Sequence, residues 1–581
     1  MSSLSTIHSP RQWLPHEKPM LPGSPSTPLH SPGKRVAYLI VGFIVLMAGG
    51  LSNALVSANL QNLQGSLGAY AAEMAWLPAA YVMSNVSMNL LLVKFRQEFG
   101  LRAFTEVFLV LYALVAFAHL FVRDVGSAIA VRAAHGMTGA ALSSLGLYYM
   151  LQAFPMKYRM KGLVIALGVS QLALPLARVM PASVLEVNEW QGLYLFEFGL
   201  TILALGCVLL LKLPPGDRLK TFEKTDFLTF ALFAPGMALL CGVLSLGRIV
   251  WWFEAPWIGY ATAGSIVLLM GAFAIEHNRT DPLLNTRWMT SAGAIRFGLV
   301  MILIRIVLSE QSTGTVGLMQ ALGLSFEQMH PMFLAVGAGA VVGVAVSAMT
   351  LNVQKLDNPL VVALIAMIIG ALMDANATNL TRPENMIVSQ FLLAFGSSLF
   401  LAPALLSQIG GLISQPKNLV SFVVVFGISQ NLGGLIGAAL LGTVQTLREK
   451  FHSSQLTEHL TLLDPQVVSR IQSGSAAYGH VLNDPTLRGA EGSVLLATSA
   501  AREANLLAYN DVFMMIAAIA AVTLVFFVGH MVWKHFNPPA PAPVPATPAV
   551  QAPTSASAEQ AQASAAASAA RAESATLTDT V

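Results

Sequence analysis

Val131-Arg132-Ala133-Ala134-His135-Gly136-Met137-Thr138-Gly139-Ala140 lies inside an otherwise apolar run from about 125 to 151. An arginine at that depth costs a few kcal/mol in hydrocarbon even on lenient scales, so it must face protein or a wet cavity. Arg132, His135, Gly136, Gly139 and Ser143 recur at i, i+3, i+4, i+7 and i+11, which places them on one helix face. That face is small and polar, suited to close helix contact and to water, not to lipid. The plainer alternative is a buried arginine that only bonds neighbouring backbone.

The whole chain agrees with a membrane reading. It has 581 residues, 55% hydrophobic and 10% charged. A soluble protein carries roughly 25% charged residues. The expected fold class is therefore all-α integral membrane, with many helical spans. Cys207 and Cys241 both sit in apolar runs and imply neither a disulfide nor a metal framework. No metal-ligand spacing, phosphate loop or nucleophile motif is present, so an enzyme is not expected. The basic residues are scattered over short loops, which argues against nucleic acid as a partner.

Residues 1–35 are polar and rich in Pro and Ser, and are expected to be a disordered cytoplasmic N-terminus. Fourteen apolar segments of spanning length follow, from 36–58 to 511–534, including 126–149, 192–213 and 293–315. On one side of these segments the short loops hold fourteen Lys and Arg, and on the other only Arg123, Arg248 and Arg382. By the positive-inside rule both termini are cytoplasmic. The stretch 445–510 then becomes a long external loop, parts of which could form short helices. Residues 536–581 are Pro/Ala-rich and then Ala/Ser-rich, and are expected to form a disordered cytoplasmic tail.

Several stretches resemble the fourteen-span drug:proton antiporters (multidrug exporters) of the major facilitator superfamily, over roughly residues 36–535. Gln430-Asn431-Leu432-Gly433-Gly434-Leu435-Ile436-Gly437 is similar to the thirteenth-span signature, and Arg132-Ala133-Ala134-His135-Gly136 to the fourth-span motif, with His135 at a Gln position. Phe95-Arg96-Gln97-Glu98-Phe99-Gly100-Leu101-Arg102 looks like the cytoplasmic gating motif, with Arg96, Gly100 and Arg102 kept and Gln97 at an Asp position. Trp190 through Gly199 resembles the start of span 6. The resemblance implies a six-helix bundle at 36–213, a linker with two extra spans at 214–292, and a second six-helix bundle at 293–535. It also implies proton-coupled efflux of small amphipathic compounds across the inner membrane. No cofactor is implied, the proton gradient being the energy source, and a periplasmic adaptor with an outer-membrane channel is the implied partner. Two departures stand out: the span-1 Asp aligns with Ser52, and the span-5 Gly-Pro motif is replaced by Ala177-Arg178-Val179-Met180-Pro181-Ala182.

The coupling group must then lie elsewhere. Glu197, Arg132 and Arg178 lie roughly 8–10 Å below the outer surface at ~1.5 Å per residue. They are expected to form an Arg–Glu–Arg cluster, read either as a proton switch or as a permanent lock. His135 is read either as a proton relay or as a satisfied buried histidine, and Glu310 competes with Glu197 as the switch. Pro175 frees a carbonyl in span 5. Candidate cavity residues are Ser52, Asn53, Gln171, Arg305, Gln390, Gln430 and Asn431. Arg305 favours anionic cargo, unless it only pairs with a carbonyl or with Glu310. The loss of the span-1 Asp and the three embedded arginines support an alternative function, a dedicated exporter of one anionic metabolite such as a siderophore or aromatic acid. A third reading is a non-transporting scaffold or sensor. The pairs Gly339/Gly343 and Gly433/Gly437 have the four-residue spacing that lets backbones touch.

Overall fold

The computed structural model describes residues 23–185, 191–352 and 354–537, together with Glu17 and Pro19. Trp190 and the tail beyond Asn537 lie outside them, so the expectations at those positions do too. The chain divides into two compact units, Met1–Phe527 and Val528–Val581. Among the described residues of the second are only the helical residues 528–536 and Asn537.

Every regular element among the described residues is helical. The long ones are α1 (Pro32–Ala58), α2 (Trp76–Phe99), α3 (Leu101–Ala118), α4 (Val125–Ala153), α5 (Arg159–Gln171), α6 (Gln191–Leu210), α7 (Lys224–Leu246), α8 (Pro256–His277), α9 (Ala292–Ser309), α10 (His330–Thr350), α11 (Asp357–Asp374), α12 (Ile387–Ser414), α13 (Leu419–Glu458) and α14 (Pro485–Phe536). Among the described residues thirteen spans are long and apolar enough to cross a membrane. The expected span at 126–149 falls in α4, which is not among them although it has 29 residues. Arg132, His135 and its Gly, Ser and Thr residues dilute its apolarity. The structure explains how it is tolerated: α1 and α2 both pack against α4 and cover that face.

Local sequence sets the helix ends. Asp124 caps α4 by accepting the Ser127 N–H at 2.9 Å, and Ser291 caps α9 through the Ala294 N–H. Gly100, at φ +81°, makes the α2–α3 turn, a backbone conformation that disfavours any side chain. The α5 span breaks at Leu172 and resumes as Ala173–Val179. Pro175 has no N–H for the Gln171 carbonyl, which accounts for the break.

In the first half α1 and α2 flank α4; in the second, α10 and α11 flank α12, and α9 packs on α13. Contacts of α2 with α13, and of α5 with α10 and α12, join the halves. The pair α7–α8 leans on α2 and α13 through α7. Lys94 of α2 bonds Asp226 of α7 at 2.6 Å, and Arg279 ties Asp226 to Glu223 and Glu276. Burial draws the Arg279 guanidinium down, but hydrogen bonds to the three carboxylates outweigh it and hold the group above its usual range. The glycine pairs act as their spacing predicts. Gly339 and Gly343 meet the α12 backbone at Phe391 and Phe395, and Gly433 and Gly437 meet α9 at Arg305 and Ser309.

Two regions differ from the sequence reading. The stretch 445–510 is mostly helical hairpin, not open loop. At 1.5 Å per residue the 40-residue α13 and the 52-residue α14 are about 60 and 78 Å long, well beyond the ~30 Å of hydrocarbon. Leu, Ala, Glu, Gln, Lys and Arg, all good helix formers, dominate 445–458 and 487–509. Asp511 on α14 bonds Arg448 and His452 on α13, each at 2.6 Å. The second difference is at residues 23–27, which are buried against the bundle. The Ser26 N–H donates to the Pro215 carbonyl, and Gln152 donates to the Ser26 carbonyl at 2.9 Å.

Candidate functional site

A cavity of about 760 Å³ lies between the halves, lined from α1, α2, α4 and α5 on one side and α9, α10, α12 and α13 on the other. Its walls are largely apolar, with Phe333, Phe422 and Phe426 among them. Its neutral hydrogen bonders include Asn53, Asn85, Gln171, Gln430 and Asn431. Among the described residues three arginines line it, Arg96, Arg159 and Arg305, and no Asp, Glu, Lys or His does. Arg96 lies over the Tyr148 ring, 4.9 Å from its centroid. Arg305 donates to the Gln430 carbonyl at 3.0 Å and forms no ion pair with Glu310.

Two candidates assigned to the cavity are elsewhere. Ser52 is buried behind the wall, donating to the Ala48 carbonyl at 2.8 Å and accepting from Tyr112 at 2.7 Å. Gln390 is fully buried among Glu310, Thr315 and Asp374. Of the four residues expected to form a gating motif, Arg96, Gln97, Gly100 and Arg102, only Arg96 reaches the cavity. Gln97 holds the following linker through its carbonyl, which accepts the Leu219 N–H at 2.9 Å, and Arg102 donates to the Leu213 carbonyl at 3.4 Å.

Behind the first-half wall lies a second polar centre. Arg132 is 1% exposed. One guanidinium nitrogen donates to Asn53 Oδ1 at 2.6 Å, another lies 3.3 Å from His135 Nδ1, and the group sits over the Tyr81 ring. His135 Nε2 lies 3.1 Å from Glu197 Oε1, and His119 Nδ1 lies 3.6 Å from the same oxygen. His119 stacks on Tyr194 and is edge-on to His135. Both Glu197 oxygens and both His119 nitrogens are buried without an aligned hydrogen-bond partner. Close packing places Arg132 and His135 here: a Cβ at Gly136 would collide with the Tyr81 carbonyl and the Ser84 hydroxyl of α2.

The expected Arg–Glu–Arg cluster does not form. Arg178 donates to the Ala58 carbonyl at 2.9 Å and lies over the Phe326 ring of the other half. The break at Leu172 separates its helical segment from the rest of α5. His119 takes the place next to Glu197. Sequence reading missed it because it lies at the end of α3, past the depth assigned to embedded charges; one more polar residue in an apolar run was the available signal.

His119, His135 and Glu197 also form the one group among the described residues with metal-ligand spacing, their ligand atoms within 4.8 Å of one another. The donor set argues against a metal. A metal on Nε2 of His135 would leave the hydrogen on Nδ1, facing the Arg132 guanidinium, which can only donate. A proton suits the arrangement better. With Nδ1 accepting from Arg132, the His135 hydrogen lies on Nε2, beside Glu197.

Residues 40–438 match the Major Facilitator Superfamily. An uncharacterized MFS-type transporter, YhcA, of Bacillus subtilis (strain 168) is 23% identical over 446 residues, 74% of this chain and 81% of that protein. The crystal structure of the human organic anion transporter MFSD10 shares the fold at a TM-score of 0.50 and 14% identity, covering 84% of this chain and 99% of that one.

Proposed function

Because this chain belongs to the Major Facilitator Superfamily, and is thus a secondary active membrane transporter and not an enzyme, we propose that its cargo is a small amphipathic anion. One observation carries the reading: among the described residues the cavity presents Arg96, Arg159 and Arg305 with no carboxylate to oppose them. A cation entering such a space meets uncompensated like charge, whereas a carboxylate finds charge-assisted donors. The apolar walls take the rest of the molecule.

The same walls favour a second reading, the broader multidrug efflux that the sequence resemblance implies. Direct binding separates the two. The purified protein is titrated with an aromatic carboxylate, its methyl ester and a cationic amine of the same ring. The anion reading expects the carboxylate to bind tightest. Equal binding of all three supports the multidrug reading and contradicts the anion one.

The driving ion in this proposal is the proton, held at His135, His119 and Glu197 and sensed by the cavity through Arg132, which bonds the cavity-lining Asn53. A proton on this centre removes the negative charge of Glu197, which faces Arg132 across His135, and leaves the arginine positive toward the cavity. The loop-charge bias supports an inner-membrane protein with both termini in the cytoplasm, and the resemblance supports export. The hairpin of α13 and α14 offers the surface on which a periplasmic adaptor would sit.

A further inference from the structure

The second half holds a buried acidic pair that the cavity does not touch. Span 9 changes character at its first member: Glu310–Gly314 is a π-helical turn between Ala292–Ser309 and Thr315–Ala321. Such wide turns are rare and occur frequently at functional sites. Glu310 is fully buried, Asp374 at the end of α11 is 3% exposed, and Gln390 of α12 is fully buried.

The Gln390 Nε2 atom lies 3.0 and 3.1 Å from the two Glu310 oxygens, 2.8 Å from Asp374 Oδ2 and 2.9 Å from Thr315 Oγ1. An amide nitrogen has two hydrogens and cannot serve four oxygens. The Thr315 hydroxyl donates to Glu310, while the neighbouring Ser389 hydroxyl donates to the Met386 carbonyl at 2.9 Å. The two carboxyls thus converge on one amide nitrogen, each within hydrogen-bond distance of it. Ionised carboxylates only accept, so two of them gathered at one amide need a further hydrogen, and among the described residues no side chain here supplies it. The remaining amide atom, Gln390 Oε1, is buried inside the cluster's wall with no partner.

No cation balances the pair. Among the described residues neither carboxyl takes part in an ion pair with Lys, Arg or His. Arg305, on the same span, is turned to the Gln430 carbonyl of α13. From α14 come Phe513 at Gly314 and Tyr509 at Gly317, from α11 Asp374 itself, and from α12 Gln390 and Ser389. Two carboxyls in contact away from water and from cations cannot both ionise.

We propose that Glu310, Asp374 and Gln390 form a proton-binding site in the second half, the two carboxyls sharing one hydrogen while Gln390 and Thr315 donate to the remaining oxygens. The chain then carries two separable proton sites, one behind each wall of the cavity. One proton enters from water and leaves to water, and no other bond changes. The inference stands on the geometry of α9, α11 and α12 and is independent of the cargo; the anion reading can fail with this one intact.

Infrared difference spectra of the full-length protein in lipid nanodiscs test it, comparing wild type with Glu310→Gln, Asp374→Asn and Glu197→Gln. The wild type is expected to show a protonated-carboxyl band at neutral pH that shifts in heavy water. Both Glu310→Gln and Asp374→Asn lose it, and Glu197→Gln keeps it. If either variant fails to fold, Glu310→Asp serves instead, and it is expected to keep the band at a shifted frequency. A band that survives both amide variants, or no such band in the wild type, overturns the proposal. So does loss of the wild-type band on adding sodium chloride with a sodium-dependent rise in Tm, which would make the site one for a metal cation.

Discussion

His135 Nε2 and Glu197 Oε1 lie 3.1 Å apart in a space closed to water, joining α4 to α6 through a pair that is fully charged only when the histidine is protonated. Arg132 stands on the other side of the same imidazole and reaches the cavity wall at Asn53. The chain Asn53–Arg132–His135–Glu197 thus runs without a break from the cavity wall to the buried His–Glu pair, and in the proposed function it links cargo to proton.

That route depends on the forked shape of Arg132. A lysine ammonium is a point charge and cannot hold Asn53 and His135 at the same time. Arg132→Lys is expected to fold, keep its charge and lose gradient-driven transport. Transport at wild-type level, measured with protein amounts matched, would contradict this.

Arg305→Ala should weaken binding of an aromatic carboxylate by roughly ten- to a hundredfold, the range for losing a charge-assisted hydrogen bond of ~1.5–3 kcal/mol. The methyl ester should change little. Calorimetric titration of both ligands makes the comparison, and equal losses would return Arg305 to a structural role on the Gln430 carbonyl.

The depth estimates show what sequence can and cannot read here. A 3.6-residue period and a rise per residue place Arg132 and His135 on one face, and the structure finds both on the cluster. The same arithmetic put Arg178 there and was wrong, because depth along a helix says nothing of azimuth once the helix breaks at Leu172. Ser52 failed for a related reason: its neighbour Asn53 faces the cavity, and a one-residue step turns a side chain by about 100°. Asp374 and Gln390 come from separate helices, and no spacing in the chain announces that they meet Glu310. The hairpin at 445–510 was read by polarity, which separates membrane from water but not loop from solvated helix.

Gly136→Leu should prevent α2 and α4 from closing, since even a Cβ there collides with the Tyr81 backbone. Overpacking typically costs about 1–3 kcal/mol, and here backbone, not a flexible side chain, must move. The variant is expected to show a clearly lower Tm, or poor yield, in detergent. An unchanged Tm would mean that the two helices are not held in this contact.

Orientation is tested by cysteine labelling. In a background lacking Cys207 and Cys241, Ser453→Cys on the extended α13 should react with an impermeant thiol reagent on intact spheroplasts. Gln354→Cys, exposed between α10 and α11, should react only after lysis. The reverse pattern would invert the topology.

The most direct measurement of the central claim, that a proton on the His–Glu centre drives anion movement, uses Glu197→Gln in proteoliposomes. The amide fixes the uncharged form of that side chain. Exchange of labelled for unlabelled carboxylate should persist, because exchange needs no net proton cycle, while uphill accumulation driven by a pH gradient should be lost. Full gradient-driven accumulation by the variant would contradict the account and remove Glu197 from the mechanism.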